Sequence, residues 1–348
     1  MQAIGWWARG VVGILLFNAG SIAASESLGG GDDDLGATSI TGRGIDGASC
    51  RDGSTNTLYG VSFADAMMGT AVGDRGIILR TTDGGETWIP QSSGTLRTLR
   101  GVSFVDPDVG TVVGDCGTIL RTTDGGETWT PQSSDTTAAL NGVQFIDPNT
   151  GWAVGFLGII LHTADGGDTW TEQYQGIMGY LWSVSFADEN NGVAVGHDYQ
   201  ARGGAMVRTE DGGATWTRQA FGTSRSLLAV SLLDASNWNV VGNGTIVRTY
   251  DGGQSWTEQR GCYFLAAASF PDANTGTAVG TDCRPSGQVI LRTEDGGQTW
   301  IPQSSGTTSN LWGVSFVDAN IGTAVGEWGR ILRTEDGGNS WVVQAGPP

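Results

Sequence analysis

The 348-residue chain has no lysine, only two histidines and only four cysteines. All 18 basic residues are arginines, against 36 acidic ones, which leaves a formal net charge of −18. A field of that sign repels phosphate, so a nucleic-acid binder held by backbone contacts is excluded. No window carries helical periodicity, and no apolar run reaches the ~20 residues of a comfortable transmembrane helix. Charged residues are scarce at 16%, yet 14 tryptophans are present. A disordered acidic chain would lack those aromatics. The 58 glycines are far above the usual ~7% and point to a turn-rich, all-β molecule.

The first residues read as an address. Arg9 precedes the apolar stretch Val11–Phe17, and the small residues Ala19 to Ala24 follow. Ser21 and Ala23 have the spacing that a signal peptidase reads, so residues 1–24 are expected to be an export signal; an uncleaved anchor is the alternative. Residues 25–57, with the run Asp32-Asp33-Asp34, read as a Gly/Asp/Ser-rich linker. An exported chain permits disulfides.

The remainder is periodic. The string Arg80-Thr81-Thr82-Asp83-Gly84-Gly85-Glu86-Thr87-Trp88 recurs, its tryptophan falling at Trp88, Trp129, Trp170, Trp216, Trp256, Trp300 and Trp341. Each repeat of about 40–45 residues holds four short β runs bounded by Gly, Asp or Pro, the size of a propeller blade. Residues 58–344 are therefore expected to form one seven-bladed β-propeller of four-stranded antiparallel blades, most simply a monomer. Closing the ring leaves no large sheet edge open.

The recurring turn resembles the Asp-box, or BNR repeat, Ser/Thr-x-Asp-x-Gly-x-x-Trp. Its carboxylates are Asp83, Asp124, Asp165, Asp211, Asp251, Asp295 and Asp336. An Asp can accept N–H bonds inside its own turn, and Trp can bury its ring between sheets. An active site has no use for seven copies, so these residues are expected to be structural. No metal site or cofactor is expected.

Antiparallel order puts the turns between runs one and two on the Asp-box face. The turns between runs two and three, and the links between units, lie on the opposite face, which alone varies strongly. That face is the expected contact surface. Tyr59, Trp182 and Trp312 align near the channel mouth with Arg100, as an aromatic lip for a partner or glycan or, more plainly, as packing between units. Arg75, Tyr199 and Trp328 sit in the variable turns. Asp74, Asp115 and Glu327 share one aligned position and would bind a cation or a basic segment, unless they serve only the turn. The arginine of run three (Arg80, Arg121, Arg208, Arg248, Arg292, Arg333, with His162 once) is either a ring for an acidic partner or, more simply, an ion pair with the Asp-rich turn or a cover over Trp. Alignment of the sixth unit brings Cys262 opposite Cys283 across a hairpin, so a bridge is expected there; Cys50 with Cys116 follows by elimination.

Sialidases carry Asp-boxes but also an Arg-Ile-Pro segment, absent here. Glu86, Glu127, Glu210, Glu294 and Glu335 lie in the box turns, on the wrong face for a cleft. Xyloglucanase-type enzymes share the Asp-Gly-Gly-x-Thr-Trp turn but use two propellers. Units such as Gly-Val-Ser-Phe-x-Asp, Gly-Thr-Ala-Val-Gly and Ile-Leu-Arg-Thr-x-Asp-Gly-Gly-x-Thr-Trp resemble most the photosystem II stability and assembly factor family, over residues 58–344. That resemblance implies an exported, non-catalytic propeller that binds a newly made membrane protein, in the periplasm or, in a photosynthetic host, the thylakoid lumen. The chain lacks the lipoprotein Cys common in cyanobacterial members. The alternative is a carbohydrate-binding or glycoside-cleaving propeller.

Overall fold

The computed structural model describes residues 56–174, 176–283 and 287–344. The expected signal, nearly all of the expected linker, Cys50 and Arg284 lie outside them. The second repeat unit shows how a blade is built. Its strands Leu99–Phe104, Gly110–Gly114, Ile119–Thr122 and Thr130–Gln132 pair antiparallel in chain order, from the ring's inside to its rim. Strand two is buried along its length, because it is flanked on both faces by neighbouring sheets. The rim strand is exposed, and Pro131 blunts its free edge.

Counted by hydrogen-bonded sheets, the propeller has six blades, not the expected seven. Five sheets have four strands. The sixth has six, Leu227–Leu232, Trp238–Thr249, Thr257–Ser269, Gly276–Asp282, Gln288–Thr293 and Ile301–Gln303, and it absorbs the fifth and sixth repeat units. The cause is local. Extended backbone runs unbroken through Asn243-Gly244, with Gly244 at φ 64°, and the chain doubles back there, so that Gly252 N donates to Ser236 O at 2.9 Å. The chain leaving the fifth Asp-box then runs on without a break into the next unit's inner strand, and Asn243 pairs with Phe264 across the join.

The fifth unit also trades its aromatic. Elsewhere a Phe ending strand one meets the box Trp edge-on, as Phe104 does Trp129 at 6.1 Å, above a glycine opening strand two. A Cβ on the equivalent Gly69 would lie 2.4 Å from the Phe63 ring. In the fifth unit Leu232 replaces the Phe and Trp238 replaces the glycine. Trp238 then meets Trp256 at 5.9 Å, so the same contact is supplied from the other strand.

Neighbouring units are joined by three repeated devices. Ser62 Oγ accepts a hydrogen bond from Phe104 N of the next unit (3.1 Å), and Ser103 does the same for Phe145 N. All the run-three arginines but Arg208 are buried: Arg80 covers the next unit's Phe104 at 4.9 Å and donates to Thr70 Oγ1 and Pro107 O. Burial pushes the Arg80 guanidinium below its ordinary pKa. Most of these arginines cover a Phe rather than the expected Trp, Arg208 over Trp238 being one departure. Where His162 stands instead, Trp152 replaces the threonine and reaches across to stack on Phe186. The third device is a glutamine at the end of the rim strand. Gln132 Nε2 donates to Gly166 O of the next Asp-box while Gln132 Oε1 accepts the Trp170 indole N–H.

The ring closes without a shared strand. Inner strand Leu311–Phe316 returns to Leu58–Phe63, with Phe63 N donating to Ser315 Oγ at 3.2 Å and Arg333 to Ala66 O at 2.8 Å. The glutamine device is missing at this seam: the Trp88 indole nitrogen has no partner among the described residues.

Candidate partner-binding face

The seven Asp-box turns line one face and are internally saturated. Asp124 Oδ1 accepts from Thr128 N and Thr122 Oγ1, and Oδ2 from Thr128 Oγ1. Thr122 Oγ1 in turn accepts Gly126 N. Donation from Thr128, side chain first, holds the Asp124 carboxyl at about 2, and Asp83, Asp165, Asp251 and Asp295 sit at the same value through equivalent bonds.

The opposite face is built by tight turns that share one backbone device. In Asp74-Arg75-Gly76, Asp74 N donates back to Thr57 O and Asp74 O accepts from Ile77 N. The middle residue adopts the left-handed region: Arg75 at φ 58°, Cys116 at 56°, Leu157 at 60° and Trp328 at 61°. The glycine that follows is obligatory, since a Cβ on Gly76 would lie 2.0 Å from Thr95 O. A left-handed conformation costs a bulky residue about 1 kcal/mol or more. The geometry throws these side chains outward, and Trp328 is 70% exposed.

The three aligned carboxylates do not converge on an open cation site; each has its own partner. Arg100 grips Asp115 with Nε (2.6 Å) and Nη2 (3.3 Å). Asp74 is buried and accepts from Thr57 N and Thr98 Oγ1. Glu327 accepts from Asn310 Nδ2 at 3.0 Å. Tyr59 packs in this group, with the Arg100 guanidinium 5.8 Å from its ring; burial, then the Asp74 charge, pushes its phenol up to about 12. Trp312 is half-buried edge-on to Phe264 at 6.2 Å, and its indole nitrogen has no partner among the described residues.

Trp182 and Tyr199 come together through a residue that the sequence reading passed over. Tyr180 stacks on Trp182 (centroids 5.0 Å, 19°), meets Tyr199 edge-on at 5.6 Å and contacts Phe156 at 5.0 Å. His197 adds an edge contact to Tyr199 and bonds Ser226 Oγ through Nδ1. Strand alternation was the available signal: Tyr180 lies two residues before Trp182 and shares its side. The result is an aromatic wall spanning the third and fourth units. The long turn beside it is held by buried Asp198, which pairs with Arg218 at 2.6 Å. Trp312, Tyr59 and Arg100 are not part of this wall.

Cys262 and Cys283 are disulfide-bonded, the register Tyr263↔Asp282 setting them opposite each other with Cα atoms 5.4 Å apart. Cys116 is also in a disulfide. Among the described residues no cluster of His, Cys, Asp or Glu forms a metal site, and no helix is long and apolar enough to cross a membrane.

Residues 92–176, the second and third repeat units with their leading links, match the family model described as photosynthesis system II assembly factor YCF48. The solved structure "YCF48 bound to D1 peptide" is 24% identical, with a TM-score of 0.66 over 81% of this chain and 92% of that one. YCF48 from Cyanidioschyzon merolae is likewise 24% identical, at 0.64 over 81% and 96%. The GH74 enzyme of Niastella koreensis is 16% identical at 0.67, covering 84% of this chain, which spans only 54% of that enzyme. No curated protein matches in sequence. The chain thus has a YCF48-like propeller fold that it shares, more distantly, with xyloglucan-type hydrolases.

Proposed function

We propose that the chain is an exported, non-catalytic propeller that binds a segment of a protein partner on its variable face, in the manner of an assembly factor. The observation that carries this reading is the aromatic wall of Phe156, Tyr180, Trp182 and Tyr199 on that face. Such surfaces offer large contact area at low cost in side-chain entropy, the usual makeup of a binding hot spot. The aligned carboxylates of the variable face speak for the same reading, because Asp115 is committed to Arg100 and Glu327 to Asn310. A glycosidase needs two carboxyls free to exchange a proton across a cleft. The Cys262–Cys283 bridge supports an oxidising compartment outside the cytosol.

The test is titration of a fluorescent D1 peptide, the ligand of the solved relative, in anisotropy. Binding that weakens at least about tenfold in Trp182→Ala, with the melting temperature kept, is the expected result. Peptide binding indifferent to Trp182 and Tyr199 would sink the proposal. The flat Tyr180–Trp182 pair also favours a sugar ring as a second reading, and a xyloglucan oligosaccharide competing for the same variants would establish it.

A further inference from the structure

We infer that the variable face rests on an anionic lipid surface. Charge is sharply divided between the two faces. Well over half of the 36 acidic residues lie in the Asp-boxes and the turns between strands one and two, all on one face. The arginines on that side are mostly buried against neighbouring rings. On the variable face the order is reversed. Asp74, Asp115 and Asp198 are buried, whereas Arg75, Arg97, Arg202 and Arg225 are exposed. Asp135 is the one exposed carboxylate among that face's described residues. A chain of net charge −18 thus turns its least negative side in one direction, and an anionic bilayer would attract that side while repelling the other.

The crests of the same face carry large apolar side chains. Trp328 and Leu157 stand on the left-handed turns, Leu96 and Met178 on the links between units, and Tyr199 on the long fourth turn. All are more than half exposed. Leu157, Met178 and Tyr199 gather beside the aromatic wall, whereas Trp328 and Leu96 belong to other units around the ring, so a single protein segment would not cover all five. Isolated aromatic and aliphatic tips among arginines suit the headgroup layer, where Trp and Tyr prefer to sit and Arg reaches the phosphates. The propeller would lie with its channel axis across the membrane plane and its Asp-boxes toward water. This inference does not depend on the peptide-binding proposal.

The full-length protein should co-sediment with phosphatidylglycerol-containing vesicles more than with pure phosphatidylcholine vesicles, and high salt should release it. Trp328→Ala should weaken vesicle binding by about tenfold, and Arg75→Ala or Arg97→Ala by roughly fivefold each. Met67→Ser, an exposed position on the acidic face, should leave it unchanged. Trp182→Ala should spare vesicle binding while impairing the D1 peptide, which separates the two proposals. Equal binding to both lipids, or binding untouched by the Trp328 and arginine variants, would assign membrane association to the apolar N-terminal stretch and overturn the inference. So would variants of Trp328 and Arg75 that impair only peptide binding.

Discussion

The two faces of this propeller are made from the same strands yet obey opposite rules. On the Asp-box face one short motif recurs, its hydrogen bonds are used up within each turn, and its tryptophans are buried or half-buried. On the other face no two units agree fully, bulky residues hold left-handed backbone, and aromatic rings stay in reach of solvent. The first face spends its side chains on stability. The second gives up some stability to keep its side chains available. Repetition therefore marks the frame, and local strain marks the working surface.

That contrast can be broken by substitution. The largest expected effect is on the frame: Trp129→Ala, which removes a ring packed edge-on against Phe104, should cost about 3–5 kcal/mol in denaturant unfolding. A melt that matches wild type would remove the box tryptophans from the frame. Acid should act on the same face. The folded carboxyls of five boxes at about 2 lie below the ordinary Asp value near 3.9, so their stabilisation is complete above pH ~4 and is lost as pH falls toward 2. The melting temperature should fall steadily over that window, and less steeply in Asp124→Asn. Gln132→Ala, which removes one clamp between units, should cost about 1 kcal/mol. On the working face the sign reverses. Trp328→Gly should raise stability by roughly 0.5–1 kcal/mol by relieving a left-handed Trp, read as a higher urea midpoint at unchanged slope. If that variant melts lower instead, Trp328 belongs to the frame and the division between faces fails.

The frame was largely legible in the sequence, because a recurring Asp-Gly-Gly-x-Thr-Trp has one physical use. The sheet count was not. Asn243-Gly244 reads like any other tight turn, and only the structure shows extended backbone running unbroken through it and on from Thr257 to Ser269, which merges two units into one sheet. The swap of Leu232 and Trp238 for Phe and Gly hid for the same reason: it preserves a contact while breaking the pattern. The glutamines at the rim were in plain view at Gln91, Gln132, Gln173, Gln219, Gln259 and Gln303, but their role appears only when neighbouring units are set side by side. The aromatic wall escaped because it draws on two units, joined by the bridge Phe156↔Tyr180. The run-three arginines had two readings, and burial against the adjacent ring decided between them.

Closure of the ring without a shared strand has a topological consequence. Strand exchange normally fixes where a chain must begin, but here the first and last sheets each keep their four strands consecutive and the seam reuses the serine and arginine contacts of the other joints. The starting point of the polypeptide is then arbitrary. A circular permutant cut in the link 133–137, with its old ends spliced by a segment as long as 92–98, should fold to the same ring, and a glutamine seated over Trp88 in that splice would give its indole the partner it lacks among the described residues.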